Sequence, residues 1–307
     1  MTRPQLSFDE IHDRLPRPLA WFVDFMRDLV RESVDDRING LAAEMAFFGL
    51  LGVFPALLIM AALLGSLDSL VGSAWAERAE SAMINGLDRV LTDQASGAVD
   101  AIRALFEGER GGLVTFATIG AIWAVSRSFA AVILALDHAY DLVERRTWVK
   151  QRLVGAALAL GTLATTIIVL SMIVVGPLFG GGRAVAGNLG FGGFFAFAWN
   201  WLRFPFAFAF LTAWATTIFD LGPAIRTKWK WQIPGAVFVA VSWLGLSVGF
   251  SVYLRLAGGS NPVFGILGGG LILMLWMYLL SLALLLGAEV NAILIIRRKG
   301  SVEAVAA

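Results

Sequence analysis

Three ionisable side chains stand inside stretches of the chain that are otherwise apolar: Glu44, Arg127 and Glu289, with Asn291 two residues past the last. A charge at membrane depth costs about 2.5–3.5 kcal/mol at the centre of a span on insertion scales, so it persists where it works or finds a partner. All three fall in the same half of their apolar stretches. A guanidinium set between two carboxylates would form an ion pair or small polar cluster in a cavity. Such a cavity suits an anionic head group or coupling to protons. Arg127 lies seven to eight residues from the end of its stretch, about 11 Å at 1.5 Å per residue, and a long side chain recovers part of that depth. The bland alternative has Arg127 snorkelling to the head groups, with the glutamates at the interface. The candidate cluster is therefore Glu44, Arg127, Glu289 and Asn291.

Other chemistry finds little material. The chain has no cysteine, which removes thiol catalysis, disulfides and cysteine-ligated metals. Its two histidines, His12 and His138, stand apart. His138 has Asp137, Asp141 and Glu144 beside it, a pattern that fits a solvated charged loop better than a metal site. No GxxxxGK[ST] loop and no GxSxG elbow occurs. Phosphodiester hydrolysis needs a metal pair or paired acid–base groups. A net charge of +1 gives no basic surface for nucleic acid. The residues thus predict no enzyme, no cofactor, no metal and no nucleic-acid partner.

The elements that position these groups must be membrane helices. Hydrophobic residues make up 58% of the 307 positions and charged residues 15%, against about 25% charged in soluble domains. The apolar residues come in blocks long enough to cross a bilayer core. Six spans are predicted near 45–67, 113–135, 153–178, 199–219, 233–256 and 267–295. No cleavable leader is read in the first forty residues. Residues 1–40 read as a tail plus an amphipathic helix at 19–38, in which Trp21, Phe22, Phe25, Met26, Leu29, Val30, Val34 and Ile38 recur at helical spacing. This helix lies on the membrane surface or packs on the protein's own face; the two are compatible. Residues 41–296 form the spanning domain and 297–307 a short tail. The loop at 68–112 carries apolar stripes of two short helices, covering one mouth of the bundle.

Sixteen of the 24 basic residues fall in the N-terminal region, near 136–152, near 220–232 and after 296. The positive-inside rule makes that side cytoplasmic, with both termini in and 68–112 out. Trp148, Trp229 and Trp231 mark the inner edge, and Trp199 and Trp201 the outer one. Gly176 and Gly180, Gly245 and Gly249, and Gly265 and Gly269 have the GxxxG spacing that lets helices approach. Pro55 and Pro205 fall inside spans as candidate kinks. Both follow phenylalanine, a faint hint of two inverted halves.

Several stretches resemble a known family. Gly40-Leu41-Ala42-Ala43-Glu44-Met45-Ala46-Phe47-Phe48, leading to Val53-Phe54-Pro55, is similar to the opening of the BrkB/YihY family of bacterial inner-membrane proteins. Ala135 to Tyr140, then Val143-Glu144-Arg145-Arg146, resembles the loop after its second span. Pro234-Gly235-Ala236 resembles the start of its fifth. Val263-Phe264-Gly265, Leu275-Trp276-Met277-Tyr278 and Gly287-Ala288-Glu289-Val290-Asn291-Ala292 match its end. The resemblance implies an all-α inner-membrane protein with about six transmembrane helices. Its members have been labelled virulence or serum-resistance factors and "ribonuclease BN", and transport of lipids or other envelope components is suspected for some. The expected function is a transporter, exporter or lipid-handling protein with an unknown small-molecule or lipid substrate and membrane lipids as partners. The alternative is an envelope scaffold; a ribonuclease is the least expected. Substrate, direction, energy source and oligomeric state are not written in the sequence.

Overall fold

The computed structural model describes residues 16–52, 129–142, 146–170, 193–257 and 266–300. They form α1 (Arg17–Asp35), α2 (Ile38–Gly52), α3 (Phe129–Ala139), α4 (Trp148–Leu170), α5 (Gly193–Leu221), α6 (Trp229–Ala257) and α7 (Ile266–Lys299), with no strand among the described residues. Four stretches are long and apolar enough to cross a membrane: Trp148–Val169, Trp201–Leu221, Trp229–Tyr253 and Leu271–Lys299. They coincide with the last four predicted spans. The first two spans, together with Pro55, Arg127, the 68–112 loop, Gly176, Gly180 and Gly265, lie largely or wholly outside the described residues.

A helix satisfies its interior backbone polar groups within itself, which is what a spanning segment requires. Large apolar side chains face outward all along them, among them Leu153, Leu160, Phe204, Val241, Val248 and Leu271. Such contiguous exposure fits lipid rather than water. Trp148 and Trp229 open α4 and α6 at one end of the bundle, and exposed Trp201 stands at the other, as interfacial tryptophans do. The former end also carries Arg146, Lys150, Arg226, Lys228, Lys230 and Arg297 to Lys299, and is called the basic end here.

α6 packs along both α5 and α7, α4 lies against α5, and α1 crosses α7. The core gathers Ile38, Ala42 and Met45 of α2, Ile133 and Leu136 of α3, Leu158 of α4, Phe219 of α5, Val239 of α6, and Leu285, Ala288 and Ile295 of α7. α1 begins at prolines and shows no side-chain N-cap. Its stability comes from its apolar face: Phe25 is buried against Val290 and Ile293, flanked by Met26 and Leu29. Arg297 clamps the crossing, pairing with Asp28 and lying over the stacked rings of Trp21 and Phe25 at 5.8 and 5.7 Å. So the amphipathic helix packs on the protein's own face. A second strip, with Leu19, Val30 and Val34, stays exposed. Arg37, in the left-handed region at φ 53°, turns the chain from α1 into α2.

Among the described residues, a close helix approach lies elsewhere than at Gly245 and Gly249, the one predicted glycine pair that is described. Gly245 and Gly249 have open space where a side chain would begin. A Cβ on Gly235 of α6 would instead sit 2.0 Å from the Gly287 carbonyl of α7, and one on Gly287 would sit 2.9 Å from the Gly235 carbonyl. The two backbones touch at that crossing, which only glycine on both sides allows.

Candidate functional site

Next to this crossing a polar cluster is buried at the basic end. Asn291, one turn beyond Gly287, turns its amide toward α6. Its Oδ1 accepts the Gly235 N–H at 2.7 Å, and its Nδ2 donates to the Gln232 Oε1 at 2.9 Å and the Gln232 carbonyl at 3.1 Å. Tyr140, just past α3, donates its hydroxyl to the same Gln232 Oε1 at 2.5 Å, and the Gln232 Nε2 donates to Thr227. Pro234 has no N–H, and the bond from Gly235 to Asn291 ties that interrupted part of α6 to α7. Tyr140, Gln232 and Asn291 are each essentially inaccessible, yet their side-chain groups are paired; a saturated network of this kind fixes geometry.

Two further residues hold the connection between α5 and α6. Asp137, also buried, accepts the Ala224 N–H through Oδ1 at 2.6 Å. Arg146 donates to the carbonyls of Leu221 at 3.1 Å, Gly222 at 2.8 Å and Pro223. It thereby caps the end of α5, where carbonyls lack helical partners and a cation is favoured.

Glu289 is different. It lies on another face of α7 from Asn291, is 2% exposed, and its Oε1 has no hydrogen-bond partner. Asp36, at the turn between α1 and α2, is among the acids near it. Burial, reinforced by Asp141 and Asp35, holds the Asp36 carboxyl above the usual aspartate range; Glu289 and the nearby His138 oppose this. Glu32 is raised too, first by burial and then by Asp36, Asp141 and Asp35. Asp141 occupies the left-handed region at φ 53° and ends α3, with Asp141 N–H bonded to the His138 carbonyl and Leu142 N–H to that of Asp137.

Of the predicted cluster, Glu289 and Asn291 are buried at this end. Glu44 is exposed on α2, and Arg127 lies outside the described residues. Pro205 sits within a continuous α5 with its ring exposed. Asp36, Tyr140, Gln232 and Arg146 were not anticipated. In the sequence Asp36 lies among the polar residues that space the amphipathic stripe and Gln232 follows Trp231, and neither position stands out. No group of three or more histidine and acidic side chains is arranged to hold a metal among the described residues.

Apolar helices of spanning length, with a polar network and a buried acid near one end, define a polytopic α-helical membrane protein. Residues 29–306 match the family described as virulence factor BrkB, and the chain belongs to that family. It is similar to the putative ribonuclease-like protein YfkH of Bacillus subtilis, with 27% identity over 90% of this chain and 97% of that one. It is also similar to a UPF0761 membrane protein of Stenotrophomonas maltophilia, with 24% identity over 90% of this chain and 62% of that longer one. The UPF0761 membrane protein PSHAa0171 of Pseudoalteromonas translucida is 23% identical over 89% of this chain and 85% of its own length. No solved structure matches.

Proposed function

We propose that this protein is a transporter, exporter or lipid-handling protein of the bacterial inner membrane, with both termini cytoplasmic and an unidentified small-molecule or lipid substrate. One observation carries the reading: Glu289, inside a helix long enough to span the membrane, is buried with a carboxyl oxygen unpartnered. A static support would have that oxygen satisfied, as Asn291 is; a buried acid left short of partners in a spanning helix is the usual mark of a working group. The test is flux. Purified protein in proteoliposomes should scramble labelled phospholipid or release trapped solute, and Glu289→Ala should keep the fold while losing most of that flux. Empty-vesicle rates across lipid and solute panels would end the reading.

The saturated Tyr140–Gln232–Asn291 network favours a second reading, a rigid envelope scaffold without flux. The nuclease word in the name of the Bacillus subtilis relative is not carried over. The full sequence has two isolated histidines, and its basic residues are accounted for by membrane topology. RNA cleavage by pure protein with a divalent metal, abolished by Asp137→Asn, would reverse that judgement.

A further inference from the structure

α1 buries one edge and leaves the next one open. Phe25, with Met26 and Leu29, packs on Val290, Ile293 and Leu294 of α7. The neighbouring edge carries Leu19, Phe22, Val30 and Val34, all exposed, the two valines at 64% and 68%. Their spacing keeps them on one side of the helix. The groove beside them is lined by Met26, Arg27, Val30, Arg31, Val34 and Asp35. Depth and charge indicate what covers this edge. Three residues beyond Ile293, Ile296 of α7 is exposed, and Arg297, Arg298 and Lys299 follow directly. So α7 still presents an apolar side chain outward where α1 crosses it, and turns basic just past that level. That is the boundary between acyl chains and head groups. On α1, the exposed Arg27 and Arg31 border the apolar strip, while Asp24, Asp28 and Glu32 fall on the far side of the helix. Asp28 is taken by Arg297. Arg31 lies 3.6 Å from Asp35, but the pair is exposed at both ends and such pairs are weak, so the guanidinium can turn to a phosphate.

We infer that the open edge of α1 binds anionic phospholipid of the leaflet at the basic end. An acyl chain lies along Leu19, Val30 and Val34, and the phosphate meets Arg27 and Arg31. A guanidinium forms strong charge-assisted bonds to phosphate, and an in-plane helix seats its apolar face about 5–10 Å into the boundary between head groups and chains. α1 is then held on two sides, by α7 through Phe25 and by the leaflet through its valines. A second copy packed on the same edge would set like rows of arginine against each other, which disfavours it. The lipid site is separate from Glu289 and does not depend on any solute being moved.

The chain has no cysteine, so one introduced thiol reports one position. Bimane is attached at Val30→Cys, at Val34→Cys or, off the strip, at Arg17→Cys, in full-length protein with one copy per nanodisc. The discs hold phosphatidylcholine and phosphatidylglycerol in equal parts, with one or the other brominated on its chains. Brominated lipid should quench the Val30 and Val34 probes strongly and the Arg17 probe little, and acrylamide from water should do the reverse. Brominated phosphatidylglycerol should be preferred at the Val34 probe by about fivefold for each arginine engaged. Arg27→Gln with Arg31→Gln should bring that ratio to about one with an unchanged melt in detergent, whereas Arg27→Lys with Arg31→Lys should keep most of it. Equal quenching by the two brominated lipids in the otherwise unaltered chain would overturn the site. So would quenching of Val34 by acrylamide alone, which leaves the edge in water, or by neither reagent, which puts protein over it. A preference for phosphatidylglycerol that survives the loss of both arginines would equally sink the assignment. Because quenching needs no substrate, a negative flux assay would leave this result standing.

Discussion

Asn291 and Glu289 are two residues apart on one helix and have opposite circumstances. The amide is satisfied on every side, so its removal strands partners: the Gly235 N–H and the Gln232 side chain lose hydrogen bonds in a buried site. Asn291→Ala should lower stability by about 1–3 kcal/mol, the usual cost of an orphaned buried group, read as an earlier thermal transition in detergent. Asp36 carries a pH prediction. Its folded-state value is raised above the ordinary carboxylate range, so the folded protein binds that proton more tightly than the unfolded chain. Its contribution is fully present below the ordinary aspartate value and is lost as pH rises through the raised one. Asp36→Asn should flatten that loss, so that melts compared at mildly acidic and neutral pH converge in the variant and diverge in the wild type. Glu289 and Asn291 were legible in the sequence because polar groups stand out in an apolar run. Asp36, Tyr140 and Gln232 were not, because in polar surroundings their burial depends on which helix end arrives beside them.

Among the elements, length and apolarity announced α4 to α7, since a bilayer leaves few other ways to place twenty apolar residues. Their contacts were less legible. A repeat such as Gly245 to Gly249 is visible within one helix, whereas the Gly235–Gly287 contact pairs glycines from two helices and has no spacing to betray it. Gly235→Ala should therefore disrupt folding, because its methyl carbon would overlap the Gly287 carbonyl, while Gly245→Ala should be tolerated. Retention of a monodisperse peak after heating would separate the two. α1 answers to the same logic. Phe25 is buried and Val34 is exposed, so Phe25→Ala should release α1 from α7 at a cost approaching the ~3 kcal/mol of a core phenylalanine. Val34→Ala should change little. Protease sensitivity of the N-terminal segment would register the difference.

For the whole molecule, the central expectation is orientation. On that expectation Arg226, exposed in the connection between α5 and α6, and Ser301, after α7, belong to the basic side, and Ser96 to the opposite one. Single cysteines at Arg226 and Ser301 should react with an impermeant reagent only in inside-out vesicles, and one at Ser96 only in intact cells. Labelling of Ser96 and Ser301 from the same face would overturn the topology. In the expected topology basic residues act before the protein is folded, through their number alone. Arg146 belongs to that number, yet in the finished structure its guanidinium also spreads over three successive carbonyls at the end of α5. The two duties have different currencies, charge for one and shape for the other. A lysine would satisfy the insertion machinery and fail the carbonyls, because a compact ammonium cannot reproduce the planar fork. Arg146→Lys should thus yield a chain threaded the right way round with a frayed joint between two of its helices, separating how the protein enters the membrane from how it settles there.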